Sequence, residues 1–177
     1  MSIDALRDAL PAYAKDLGQN FATLADEPHL TDQQKWGCFL AVAYADPQPT
    51  AVKAIEDAAR QAGLSDAAVN AAKASAAIMA MNNVYYRAMH LMKNAEYRTM
   101  PVRLRMNAIA NPGVDKTDFE LWSFAVSAMN GCGLCLDAHE AELKKRGLSN
   151  TAIQAALRIA AVVFAISRVL AAEAAAA

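Results

Sequence analysis

Apolar residues recur along this chain at intervals of three and four, the spacing of one face of an α-helix. Ile3, Leu6, Leu10, Tyr13 and Leu17 form the first such series, with Ser2 placed to cap it and Pro11 to bend or divide it. Asp26-Glu27-Pro28-His29 reads as a loop. Thr31-Asp32-Gln33-Gln34 has the S/T-x-x-Q form of a capping box and predicts a helix to about residue 45. Asp46-Pro47-Gln48-Pro49 breaks the pattern, and a helix over about 50–63 ends where Gly63 can serve as the C′ residue. Ser65 caps the next, which runs past Asn82-Asn83 towards Met92. Pro101 and Asn111-Pro112-Gly113 mark turns with a short apolar helix between them. Thr117-Asp118-Phe119-Glu120 is a second capping box, opening a helix to Asn130-Gly131. Another starts around Cys132 and stops at Gly147; Ser149 caps the last, whose alanine tail from Ala171 is expected to fray.

The pattern repeats. Laying residues 41–81 over 125–165, an offset of 84, gives 12 identities in 41 positions, seven of them alanine. The shared punctuation carries more weight than the count: Gly63-Leu64-Ser65 falls on Gly147-Leu148-Ser149. The expectation is a single all-α domain, residues 1–177, built of two similar helical halves with a pseudo-repeat of about 37–81 and 121–165. Gln48 and Ala51 then occupy the places of Cys132 and Cys135, so the first half is scaffold and the second carries chemistry.

Composition supports a helical chain and narrows the function. There are 42 alanines against 7 glycines and 6 prolines, a balance that favours helix over sheet. A net charge of −1 leaves no electrostatic excess to hold nucleic acid. Charged residues interrupt every apolar run short of the ~18–20 residues of a membrane span. The first residues lack the basic and apolar regions of a secretory signal. These readings predict a soluble, cytoplasmic protein with no membrane or nucleic-acid partner.

Three cysteines, Cys38, Cys132 and Cys135, are too few for a disulfide framework, and two of them form a CxxC pair. On a helix, positions 132, 135 and 139 fall within an arc of about 60°, which brings two sulfurs and the His139 imidazole together. A base beside Cys135 favours its thiolate; the helix N-terminus and accessibility favour Cys132 as the exchanging thiol. A division of labour satisfies both: Cys135 attacks and becomes a sulfenic acid, and Cys132 condenses with it. Three alternatives stay open: a zinc-stabilised interaction module, although zinc wants about four ligands, a general thiol–disulfide oxidoreductase, and an inert pair. Glu120 either orients His139 or fills the N3 position of the Thr117 capping box. Cys38 reads as core, His29 as a loop residue, His90 as surface or a pocket wall beside Tyr85 and Tyr86. Met79, Met81, Met89 and Met92 read as core filler or a subunit contact.

At these residues the chain resembles a known family, the AhpD type of alkyl hydroperoxide reductase within the carboxymuconolactone-decarboxylase-like group. The likeness spans Ala9-Leu10-Pro11-Ala12-Tyr13, Met81-Asn82-Asn83-Val84-Tyr85-Tyr86-Arg87, Ala110-Asn111-Pro112-Gly113 and Phe119-Glu120-Leu121-Trp122-Ser123-Phe124, followed by the CxxC-x3-H motif. The resemblance implies an all-helical homotrimer with lipoyl-dependent peroxidase activity, an antioxidant function with no bound cofactor or metal. It implies that Cys135 attacks the hydroperoxide and that Cys132 is the resolving thiol and proton donor, with a redox-active disulfide between them after turnover. His139 and Glu120 match the proton relay. The implied reductant is the dihydrolipoyl group of a lipoylated 2-oxoacid dehydrogenase acyltransferase. An AhpC-type peroxiredoxin is a further implied partner, regenerated through the more exposed cysteine. One position departs from the pattern: Leu134 stands between the cysteines where the family carries a histidine, which implies weaker peroxidase activity or a different peroxide preference. A lactone decarboxylase, also within the wider group, has no need of the dithiol.

Overall fold

The computed structural model describes residues 3–177; Ser2, expected to cap the first helix, lies outside them. The described residues form ten α-helices and no strand. Pro11 divides the first apolar series: α1 (Ile3–Asp8) ends before it, and a single 3₁₀ turn (Ala12–Ala14) leads into α2 (Lys15–Ala25). The Thr31 capping box is complete. Its hydroxyl accepts from the Gln34 N–H while the Gln34 side chain accepts from the Thr31 N–H, both at 3.2 Å, and α3 (Asp32–Ala45) follows. The remaining helices are α4 (Pro49–Gln61), α5 (Asp66–Leu91), the short α6 (Glu96–Thr99) and α7 (Asn107–Ala110), then α8 (Lys116–Met129), α9 (Gly133–Lys145) and α10 (Asn150–Ala176).

Shifted by 84 residues, the bounds of α3 and α4 and the start of α5 fall on those of α8, α9 and α10. The turns match in conformation as well. Gly63 and Gly147 have φ of +95° and +88°. That left-handed turn closes each helix with a bond to the carbonyl five residues back, Leu64 to Ala59 and Leu148 to Leu143, both 3.0 Å. Ser65 and Ser149 then cap the next helices by accepting from Ala68 and Ala152 at 3.2 Å.

Helices α3 and α8 form the centre. Every residue from Lys35 to Ala43 is buried, as a helix apolar on all sides requires. A side chain at Gly37 would collide with Trp122: a Cβ there would lie 2.0 Å from its Cε2. Glycine lets the two helices approach until the indole lies against backbone, and the Trp122 N–H donates to the Gln34 carbonyl at 3.2 Å. Helix α10 packs on α2, α3, α4 and α8. It is long and apolar enough to cross a membrane, contrary to the sequence expectation, but half of that stretch is buried within the protein, the place of a core helix.

Three local expectations change. The alanine tail continues α10 to Ala176 instead of fraying, in keeping with alanine's propensity and with a 2.8 Å bond from the Tyr13 hydroxyl to Glu173. Helix α6 appears just before Pro101, where no element was expected. Beside it, the Arg98 guanidinium donates to the carbonyls of Met89, His90 and Met92 and so closes the end of α5. The cap of α8 is Asp115, whose carboxylate accepts from the Thr117 N–H at 2.7 Å and is held below the usual aspartate range by Thr117. Thr117 therefore sits inside the helix, and Glu120 has no capping-box position to fill.

Candidate functional site

The turn between α8 and α9 presents the sulfurs. Gly131, at φ +66°, lets the chain reverse, and the Cys132 N–H bonds back to the Ser127 carbonyl at 3.1 Å. Cys132 is thereby the N-cap of α9, and its side chain makes no cap hydrogen bond. It is joined in a disulfide to Cys135, one turn on, with 5.3 Å between their Cα atoms. The two differ in access, and in the opposite sense to the sequence expectation. Cys132 is 0% exposed and Cys135 is 7% exposed, because the reversal turns the N-cap side chain inward and leaves the next turn of α9 facing a cavity.

That cavity, of about 310 Å³, lies between three elements. Met79, Asn82 and Tyr86 line it from one face of α5; Met106 and Ile109 close it from the α7 segment; Leu134, Cys135, Ala138 and His139 form the α9 wall. The structure thus brings Cys135 and His139 to one surface, with Cys132 behind. Leu134 is also shared with a neighbouring cavity walled by Tyr85, Tyr86 and His90, so His90 is a wall residue.

Glu120 reaches the site from α8, and its Oε2 lies 2.6 Å from His139 Nδ1. An ionised carboxylate only accepts hydrogen bonds, so it holds the proton on Nδ1 and leaves Nε2 as the basic nitrogen. With the cysteines joined, Nε2 faces the Met79 sulfur at 3.4 Å, and among the described residues no hydrogen bond joins the imidazole to either cysteine. Met79 is more than core filler. Its sulfur accepts from the Ser127 hydroxyl at 3.6 Å, and Asn83 Nδ2 approaches it at 4.0 Å.

A buried polar ladder between α5 and α8 supports this arrangement. Ser75 and Ser123 hydroxyls meet at 3.1 Å, Asn83 donates to Ser127 at 2.9 Å, and Asn130 donates to Asn83 at 2.9 Å. Sequence reasoning missed Met79, Asn82, Asn83 and Ser127 as site residues. The available signal was the pair Asn82-Asn83 within an otherwise apolar run, where buried amides need partners.

The other candidates stay apart from the site. Cys38 is buried in α3, where desolvation pushes its thiol pKa up, the mark of an unreactive cysteine. His29 lies in the loop before α3, where its N–H bonds to Glu27. Among the described residues no three His, Cys, Asp or Glu side chains are grouped to hold a metal ion.

Comparison with known proteins identifies the family. Residues 95–177 match the model of the carboxymuconolactone decarboxylase family. Over nearly the whole chain, the protein is 63% identical to the alkyl hydroperoxide reductase AhpD of Maricaulis maris, covering 98% of this chain and 99% of the relative. This chain belongs to the AhpD family. The AhpD of Hyphomonas neptunium is 61% identical, covering 99% of this chain and 97% of the relative. That of Streptomyces coelicolor is 53% identical over 98% and 97%. AhpD membership therefore extends over both helical halves, not only the half that carries the sulfurs.

Proposed function

We propose that this chain reduces organic hydroperoxides by a Cys132/Cys135 dithiol–disulfide cycle: ROOH + 2 RSH → ROH + H₂O + RSSR. The observation that carries the reading is the placing of Cys135 and a Glu120-oriented imidazole on one wall of a mostly apolar cavity. An organic peroxide has a matching shape, an apolar body with one polar end.

In the reduced protein the Cys135 thiol gives its proton to His139 Nε2, which turns from Met79 to take it while Glu120 steadies the imidazolium. The thiolate attacks the terminal peroxide oxygen; the O–O bond breaks, Cys135 becomes a sulfenic acid, and RO⁻ leaves as the alcohol with a proton. The Cys132 thiol then displaces hydroxide from Cys135, forming the disulfide and water.

An external dithiol returns the pair to its reduced form. The relative burial of the sulfurs makes Cys135 the point of attack and Cys132 the leaving thiolate, which the N-terminal end of α9 stabilises. We assign this part to a dihydrolipoyl group, as on a lipoylated 2-oxoacid dehydrogenase acyltransferase, and allow an AhpC-type peroxiredoxin as a second exchange partner. The cytoplasm, a reducing compartment, suits such a cycle. Large exposed apolar side chains, Val84 and Leu91 among them, support assembly into the homotrimer expected of the family.

The test is intact-mass spectrometry of the reduced protein after one equivalent of tert-butyl hydroperoxide. Wild type should lose two hydrogens, Cys132→Ser should gain one oxygen, and Cys135→Ser should do neither. A wild type unchanged in mass removes the cycle. Oxidation no faster than that of free dithiothreitol makes the protein a general thiol–disulfide oxidoreductase instead.

A further inference from the structure

Met79 of α5 is 1% exposed, yet polar groups converge on its sulfur. The Ser127 hydroxyl donates to it at 3.6 Å, the Asn83 amide stands at 4.0 Å, and His139 Nε2 faces it at 3.4 Å. Asn83 also donates to the Ser127 oxygen at 2.9 Å, which directs the hydroxyl hydrogen on to the sulfur. A methionine that only fills space needs no such company. The chain contains an apolar version of the same three positions: the 84-residue recurrence puts Ala43, Ile55 and Val163, all 0% exposed, where Ser127, His139 and Met79 stand. A thioether accepts hydrogen bonds and donates none, so its contact with Nε2 is a bond only when that nitrogen carries a hydrogen. Nδ1 is already bonded to the Glu120 carboxylate at 2.6 Å. With an acceptor on each nitrogen, the ring of the disulfide form is an imidazolium.

We infer that Met79 is a positioning residue for the redox pair: its thioether holds the protonated His139 ring while Cys132 and Cys135 are joined. The inference rests on the dithiol–disulfide couple proposed above and adds a group that distinguishes its two states. In the reduced protein Nε2 faces the Cys135 thiol and takes its proton. Once the disulfide has formed, no thiolate is left to pair with the ring. The Met79 sulfur then accepts the Nε2 hydrogen, and the proton stays on the ring beside Glu120, while the departing alkoxide takes its own proton from water. The bond to Met79 exists in the oxidised state only. It therefore stabilises the disulfide relative to the dithiol and lowers the reduction potential of the pair.

The test is the equilibrium of the full chain with glutathione at one fixed pH: disulfide + 2 glutathione ⇌ dithiol + glutathione disulfide, read by trapping the free thiols and weighing the products. Met79→Leu keeps the volume and removes the acceptor. It should shift the equilibrium towards the dithiol by about three- to tenfold, a rise of about 15–30 mV. In a His139→Ala background the same substitution should leave the equilibrium unmoved, because the ring it acts through is gone. A merely structural methionine would lower the thermal midpoints of both redox forms alike and move the equilibrium in neither background, and that result overturns the inference. An equal shift with and without His139 overturns it too. A further measurement needs no Met79 variant. In nitrogen NMR of the wild-type disulfide form, assigned against His139→Ala, both ring nitrogens of His139 should carry hydrogen; a bare Nε2 overturns the inference. Peroxide takes no part in these measurements. A wild type that tert-butyl hydroperoxide fails to oxidise therefore removes the proposed peroxidase, and an unmoved glutathione equilibrium removes the role of Met79 alone.

Discussion

Residues 32–91 and 116–176 pass through the same three helices with the same turns, yet they treat their middle junction differently. In the first half Gln48 caps α4, its side-chain oxygen accepting from the Ala51 N–H at 2.8 Å, and Pro49 occupies the first helical position. Eighty-four residues on, Cys132 stands at the N-cap with no side-chain cap bond, and Cys135 replaces Ala51. Ile55, fully buried, gives way to His139, and Trp36 gives way to Glu120. The second half has exchanged a satisfied cap and an apolar face for a disulfide and a hydrogen-bonded acid–imidazole pair. A missing cap destabilises a helix by about 1 kcal/mol. The uncapped N-terminus also leaves its positive end directed at the sulfurs, where it favours thiolate. One arrangement is thus capped and apolar at the junction where its copy is uncapped and holds the sulfurs beside an acid–imidazole pair.

Three substitutions break or sharpen this comparison. The largest effect is expected where the halves interlock. Gly37→Ala forces a methyl into Trp122, and overpacking without room to relax should cost about 3 kcal/mol or prevent folding. A wild-type thermal midpoint would show that α3 and α8 do not approach so closely. Glu120→Gln comes next. The amide can donate to Nδ1 and so favour the wrong tautomer, and peroxide turnover should fall about 10- to 100-fold, part of the usual range for acid–base catalysis, with little change in stability. Turnover equal to wild type would remove Glu120 from the relay. Gln48→Ala is the smallest. Losing the first-half cap should lower stability by about 0.5–2 kcal/mol and leave the peroxide rate untouched. A change in that rate would show that the first half is more than scaffold.

Much of the fold was legible because its signals are local. The Thr31 capping box, Gly63, Ser65, Gly147 and Ser149 act through bonds spanning a few residues, so their spacing marks helix ends wherever those helices later pack. Two local signals misled for the same reason. Thr117-Asp118-Phe119-Glu120 has the form of a capping box, but Asp115 stands two residues earlier and its carboxylate takes the cap. An N-terminal position on α9 suggested an accessible Cys132, but the Gly131 reversal turns that sulfur inward. The spacing of Cys135 and His139 put both on one helix face, whereas the partners of that face, Met79, Asn82 and Glu120, come from helices that no spacing rule connects to it.

By itself, then, the sequence determined most of the helices, the turns that carry their own local caps, the 84-residue recurrence and the presence of a CxxC-x3-H unit on the second copy. Tertiary structure decided which sulfur meets the cavity, whether Glu120 serves a helix end or an imidazole, and which side chain that imidazole faces in the disulfide form. The division follows from range. Helix formation and capping are settled by bonds within about four or five residues along the chain. Burial and the pairing of polar groups depend on where α5, α8 and α9 cross, which follows from the packing of the whole core.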